Sequence, residues 1–345
     1  MNSSPWIALD IGGANVKAAH ASGQARALPF ELWKHPEELP RVLRRLTSTF
    51  APAERVAVTM TAELCDCFAT KTDGVKAILD AVTDVYDERL VSVWGTDGNF
   101  HSVADALARP DLAAAANWLA LATLAARLVP RGGGLLIDIG STTTDLIPFL
   151  DGRPNPTGRT DTNRLRTGEL VYAGVRRTPV CALATELLWR GALTGLSAEL
   201  FATTLDLYLT LGDVAPDPTD TATADGRPAT VEAARDRLAR MVGADRAGFS
   251  TDDARALSMA ADEVLTSRLT SSARRAYIGS GTPVAVVVSG SGGFLARRVA
   301  ERVVEPGGLI IELGLAWGPI ASVAGCAHAL VVLAGERGLG RADPS

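Results

Sequence analysis

Residues 8–19 read ALDIGGANVKAA and residues 136–147 read LIDIGSTTTDLI. In each, an apolar run ends on Asp-Ile-Gly, a short turn follows, and a second extended run leaves it. Asp10 and Asp138 stand at the same offset, as do Gly12 and Gly140. A strand–turn–strand unit repeated once within a chain predicts two halves of like topology. Apolar strands alternate with helical stripes around both copies, so the expected class is α/β.

Working outward, Trp6–Ile11 and Val16–Ala21 are strands about the turn Gly12-Gly13-Ala14-Asn15. Helical spacing runs from about Pro36 to Phe50 and from Asp73 to Val85, with strands at Arg55–Met60 and Val91–Trp94. An Ala-rich helix starts near Pro110 and continues to Val129. Leu135–Ile139 and Thr144–Leu150 form the second strand pair. The span Arg176–Arg275 reads as mostly helical, interrupted by the Pro- and Asp-rich loop Asp213–Pro228. Strand Val284–Ser289, helix Phe294–Val304, strand Leu309–Leu313 and an apolar helix from Ala316 to Leu333 complete the chain. A boundary near Pro130 makes residues 1–130 one domain and 131–345 a second, with a helical insertion at about 176–275 and a Gly-rich loop at 289–293.

At 345 residues and 47% hydrophobic, the chain can bury a core without disulfides or a structural metal. Its net charge of −5 disfavours broad nucleic-acid binding. Only four of the 34 basic residues are lysine, so an individual arginine is weak evidence for an anion site. Cys65, Cys67, Cys181 and Cys326 lack zinc-site spacing, and free thiols fit a reducing compartment. The start MNSSPWIALDIGG has no basic leader region. The apolar stretch Leu112–Val129 contains Asn117, Thr123 and Arg127, as a buried helix does and a membrane span rarely does. The expectation is a cytoplasmic protein with no membrane or nucleic-acid partner, and a homodimer is compatible with it.

The repeated turns suggest chemistry. Glycines let backbone N–H groups approach a phosphate without a Cβ in the way. Gly12, Gly13, Asn15 and Lys17 are phosphate-binding candidates in the first copy. Gly140, Ser141, Thr142 and Thr143 are their counterparts in the second. Asp10, Asp138 and Asp145 suit a Mg²⁺ ion held through water, since Mg²⁺ usually keeps several waters. Either turn alone is equally an ordinary β-hairpin; the repeat makes the difference. Val286–Gly293 adds a strand, a Gly-rich turn with Gly290 and Gly292, and a helix start, where the dipole favours an anion.

Two Asp-Ile-Gly hairpins in tandem with a late Gly-rich turn resemble the superfamily of actin, Hsp70 and the sugar kinases. The resemblance implies two RNase H-like domains around a central cleft, with two phosphate loops and an adenosine-type loop. DIGSTTTDL resembles the hydantoinase A/oxoprolinase branch. Thr59–Phe68 (TMTAELCDCF), Asp161–Tyr172 (DTNRLRTGELVY) and Gly174–Cys181 (GVRRTPVC) resemble hydantoinase-like proteins of tetrahydromethanopterin-linked C1 transfer. That group is similar to the methanofuran-pathway synthase joining aminomethyl-furanmethanol diphosphate to γ-glutamyltyramine.

The resemblance implies a Mg²⁺-dependent transferase that releases pyrophosphate, acting on a small diphosphate and a phenolic amine. ATP is compatible with the loops but not required. Asp138, Asp10 and Glu63 are the catalytic candidates, Glu63 as base or indirect metal ligand. Arg164, Arg176 and Arg177 are candidates for diphosphate or carboxylate binding. Glu169 and Tyr172, three residues apart, are substrate candidates if they share a helical face. Cys65 and Cys67 are expected to be buried or pocket-lining thiols, Asn117 to reach the phosphate region from beneath or to make an ordinary interhelical hydrogen bond, and His328 to be a core histidine. The alternative is an ATP-dependent kinase or oxoprolinase-like amide hydrolase; a nucleotide-binding regulator is a third class.

Overall fold

The computed structural model describes residues 5–277 and 281–337; residues 1–4, part of the stretch read for a leader, and 338–345, the end of the second expected domain, lie outside them. The chain separates into two units. One holds the residues through Gly134, Ile147–Arg164 and those from Ile311 onward; the other holds Leu135–Leu146 and Leu165–Ile310. Where the sequence draws a single cut near Pro130, the chain twice returns to the first unit.

The first unit is built on β1 (Trp6–Ile11), β2 (Asn15–His20), β3 (Ala25–Pro29), β4 (Arg55–Met60), β5 (Val91–Trp94) and β6 (Phe100–His101), in the order β3-β2-β1-β4-β5-β6. β1 runs antiparallel to β2, with Asp10 opposite Lys17, and parallel to β4, with Asp10 opposite Thr59. Every residue of β1 is buried, as a central strand covered on both faces requires. Helices α1 (Leu39–Thr47) and α2 (Lys71–Thr83) pack on the sheet through Leu43, Leu46, Ile78 and Leu79. The N-terminus of α2 is set by Thr70, whose hydroxyl accepts the Asp73 N–H at 3.1 Å.

The Ala-rich stretch departs from the expected single helix. After α3 (Val103–Ala108) it divides into α4 (Pro110–Ala113) and α5 (Asn117–Ala125). Ala115, with φ of 49°, breaks the last two apart in the left-handed region.

The second sheet contains β7 (Gly133–Ile139) and β8 (Thr144–Leu150), with β9 (Arg153–Pro154) pairing on β8. Helix α6 (Asp161–Thr167) leads to β10 (Leu170–Val171). Inside the stretch expected to be helical lies a hairpin, β11 (Glu186–Trp189) with β12 (Ala192–Gly195), followed by α7 (Thr204–Leu211), α8 (Val231–Met241) and α9 (Thr251–Ala276). Strand β13 (Ala285–Ser289), helix α10 (Gly293–Val303) and strand β14 (Leu309–Glu312) complete the order β10-β8-β7-β13-β14. Both sheets therefore follow the sequence third-second-first-fourth-fifth among their main strands. This is the RNase H-like arrangement, present twice. Leu135, Ile137, Ile139, Val286, Val288 and Leu295 form the second unit's core.

After β14 the chain rejoins the first unit through α11 (Leu313–Ala316) and α12 (Pro319–Glu336). The apolar α12 packs against β1, β2 and α5. Arg127 clamps its end through paired 2.7 Å bonds to Glu336.

Candidate active site

The two Asp-Ile-Gly turns close in the same way. The Gly12 N–H donates to the Asn15 carbonyl at 3.0 Å, and the Gly140 N–H to that of Thr143 at 2.9 Å. In the first unit, Leu32 N–H and Phe30 N–H donate to the carbonyls of Gly13 and Ala14. Thr61 N–H donates to the Ile11 carbonyl at 3.0 Å, bringing the segment after β4 against the turn. There the Cys65 thiol occupies the space a Cβ on Gly13 would take, 2.8 Å from that position. Asn117, at the start of α5, donates to Asp10 Oδ1 at 3.4 Å, so it does reach this region. Cys67 lies further out, its thiol 3.9 Å from the Leu32 carbonyl.

Glu63 is the electrostatic anomaly of this unit. Its side chain is 1% exposed and neither carboxyl oxygen has a hydrogen-bond partner. Burial pushes its pKa up to about 7. The backbone amides of Glu63 and Ala115 and the Lys71 charge restrain the rise, while Asp161 adds to it. Lys71 and Asp161 themselves pair at 3.4 Å. The left-handed Ala115 thus has a second significance: the break between α4 and α5 turns a peptide toward a buried acid.

In the second unit two segments converge on the Gly140 turn. Val175 N–H donates to the Gly140 carbonyl at 3.0 Å, and the Arg176 and Arg177 N–H groups to that of Ser141 at 3.1 and 2.9 Å. Gly174 makes this approach possible, because a Cβ there would stand 2.4 Å from the Gly140 oxygen. The Thr144 hydroxyl donates to the Ala173 carbonyl at 2.7 Å. From the other side, Gly292 N–H donates to the Ile139 carbonyl at 2.8 Å. Gly290, at φ of 89°, packs so closely that a Cβ there would stand 2.2 Å from the Ile139 oxygen and 2.7 Å from Asp138 Oδ1. The Gly-rich turn and the start of α10 are therefore built against the Asp138 turn. Ser141, Thr142 and Thr143 remain half-buried, with 3.3 Å between the first two hydroxyls.

The remaining candidates scatter. Arg164 is 1% exposed and stacks its guanidinium 4.1 Å over the Trp118 ring, in the first unit. Arg176 donates to the Asp220 carboxylate and Arg177 is exposed. Glu169 and Tyr172 do not share a helical face: they flank β10, Glu169 fully buried and bonded by the Thr167 hydroxyl at 2.8 Å, Tyr172 52% exposed. The extended β10 points successive side chains to opposite faces, which defeats helical spacing. The His328 ring lies tilted against Trp317, 5.5 Å between centroids, and burial lowers its pKa. Gly74, Ala115, Gly174 and Asp220 escaped the sequence reading; only Gly174, inside the string GVRRTPVC, carried a signal.

Among the described residues no three His, Cys, Asp or Glu side chains gather into a direct metal cage. Asp10 in the first unit and Asp138 and Asp145 in the second carry hard oxygen donors, the kind of ligand that Mg²⁺ takes directly or through water. No helix among them is long and apolar enough to cross a membrane.

A family model described as hydantoinase/oxoprolinase matches residues 54–334. The chain is 36% identical over 250 residues to the (4-{4-[2-(gamma-L-glutamylamino)ethyl]phenoxymethyl}furan-2-yl)methanamine synthase of Methanocaldococcus jannaschii, covering 72% of this chain and 74% of that protein. A protein of the same description from Methanococcus vannielii is 35% identical over 119 residues, 34% of this chain and 53% of the other. Among solved structures, a nucleotide-free acetone carboxylase aligns at a TM-score of 0.47 and 16% identity, over 88% of this chain and 46% of that one.

Proposed function

Because the chain belongs to the hydantoinase/oxoprolinase family, we propose that it is a transferase joining a furanmethanol diphosphate to the phenol of γ-glutamyltyramine and releasing pyrophosphate. The observation that carries the reading is the 36% identity to the synthase over 72% of the chain. That synthase's described product contains a phenoxymethyl–furan ether, which defines the bond to be made.

The chemistry assigns tasks to residues. The phenol oxygen attacks the furfuryl carbon, whose bond to the diphosphate oxygen breaks with the electron pair leaving on pyrophosphate. Gly140, Ser141, Thr142 and Thr143 hold the diphosphate through N–H and hydroxyl donors, and Gly290 and Gly292 border it at the α10 N-terminus. Asp138 and Asp145 would hold a Mg²⁺ ion through water, and the ion would supply charge neutralisation to the leaving group. In the first unit, Gly12, Gly13, Asn15 and Lys17 form a second anion site beside Asp10. A phenol has a pKa near 10 and needs a base; Glu63, the catalytic candidate of the first unit, is a buried carboxyl whose raised pKa suits it to take up a proton.

Incubating the protein with both substrates and Mg²⁺ should release pyrophosphate in step with an ether seen by mass spectrometry. Asp138→Asn should abolish both while leaving the circular dichroism spectrum unchanged. Near-normal turnover by that variant would sink the assignment. The Gly-rich turn built against Asp138 favours one alternative, an ATP-dependent kinase or amide hydrolase. Stoichiometric ADP formation with a small substrate, without pyrophosphate, would select it.

A further inference from the structure

The loop between α7 and α8 reads in the sequence as an unremarkable surface connection, yet it is fastened at several points. Asp217 N–H donates to the Ala229 carbonyl at 2.9 Å and Ala229 N–H to the Asp220 carbonyl at 2.8 Å, closing the loop on itself. Asp225 accepts from Arg237 at 2.9 Å. Arg237 is fully buried and bonded to the equally buried Asp206 at 2.8 Å. The loop is thus anchored to the helices beneath it through a buried charge, an arrangement too costly to be left unpaired.

What the loop holds in turn is Arg176. Asp220 accepts from the Arg176 guanidinium, which also donates to the Ala222 carbonyl at 3.3 Å. The other Asp220 oxygen accepts the Ala222 N–H at 3.0 Å, fixing the carboxylate's direction. The backbone of Arg176 is one of the groups pinning the Ser141 carbonyl. A carbonyl pinned on one side fixes its peptide plane, and so the direction of the N–H groups that follow.

We infer that Asp220 is a positioning residue: it holds Arg176, and through it the peptide planes of the Gly140–Thr143 turn, in the geometry that receives a phosphate. Arg176 then acts as a brace, and its guanidinium is committed to Asp220. The effect on ligand binding rests on the diphosphate reading of this turn; the bracing itself does not. A binding constellation is only as accurate as the shell that supports it.

Asp220→Asn tests this gently, because an Asn oxygen can still accept the Ala222 N–H while the ion pair is lost. Two readouts separate the claims: hydrogen exchange of the Arg176 and Arg177 amides, and calorimetric binding of inorganic pyrophosphate with Mg²⁺. The expected result is about tenfold faster exchange at those amides with unchanged exchange in α9, and pyrophosphate affinity about tenfold weaker. The double variant Arg176→Asp with Asp220→Arg should recover much of both. Unchanged exchange in Asp220→Asn overturns the brace. Faster exchange with undiminished affinity overturns the positioning role and leaves a structural one. If the unaltered protein binds no pyrophosphate, the diphosphate reading fails, and the exchange measurement still decides whether Asp220 holds the turn.

Discussion

Gly74 lies directly against the backbone of Glu63: a Cβ added to it would stand 2.2 Å from the Glu63 carbonyl oxygen and 2.6 Å from its Cα. Helix α2 can therefore pass under the buried acid only at a glycine. Gly74→Ala gains about 1 kcal/mol of helix propensity. Against this, overlap with backbone that cannot rotate away costs about 1–3 kcal/mol or more. The overlap should win. A melting temperature lowered by several degrees is expected, with activity lost alongside it, and a variant more stable than the parent would show that Glu63 can move.

Glu63 should also make stability depend on pH. Its folded-state pKa, about 7, lies above the ordinary 4.5. A raised pKa means that the stabilisation is complete below pH 4.5 and is lost as pH climbs through 7, where a buried charge must form. The loss amounts to about 3 kcal/mol. Glu63→Gln removes the titration, so its melting temperature relative to the parent should rise between pH 5 and pH 8. Parallel melting curves across that range would mean Glu63 is not buried in solution. Catalysis should be lost in the same variant, since Gln takes no proton.

Gly290→Ala meets two obstacles at once. The residue sits at φ of 89°, and a Cβ there would lie 2.2 Å from the Ile139 carbonyl oxygen. Strain of about 1–3 kcal/mol follows from the backbone alone. Pyrophosphate binding should weaken more than tenfold, measured by calorimetry, because the intruding methyl also approaches Asp138. Gly293→Ala, with open space around its Cβ position, is the matched control and should bind normally.

Asp206→Ala should be among the most destabilising changes away from the site. It takes from the buried Arg237 its fully buried carboxylate partner, leaving the loop residue Asp225, and removes the carboxylate that accepts the Thr203 N–H at the start of α7. A loss of about 3–5 kcal/mol is expected. Glu232→Ala breaks the bridge from Arg246 at 2.6 Å on the exposed surface and should cost at most about 1 kcal/mol. Denaturant unfolding of both variants checks the contrast.

The repeated Asp-Ile-Gly strings were enough to place β1, β2, β7 and β8, because a buried strand ending at a glycine turn leaves a local signature. The short edge strands β6, β9 and β10 leave none: two residues cannot establish a period. The break at Ala115 was illegible for a different reason. An alanine run has the highest intrinsic helix propensity, and only tertiary packing forces one of its members left-handed. Likewise Arg164, Arg176 and Arg177 look alike in sequence, yet one stacks on Trp118, one is committed to Asp220 and one is exposed. Trp118 lies 46 residues from Arg164 and Asp220 lies 44 from Arg176, beyond any local pattern.

The return of α12 to the first unit gives the molecule an order of assembly. A ribosome delivers β1 through α5 first, but the apolar helix that covers them comes last. By then every residue of the second unit has already been synthesised. The unit begun first is therefore the one finished second. Until α12 emerges, the face of β1 and β2 that it covers stays open to solvent, and that interval is when the nascent chain is most exposed to aggregation.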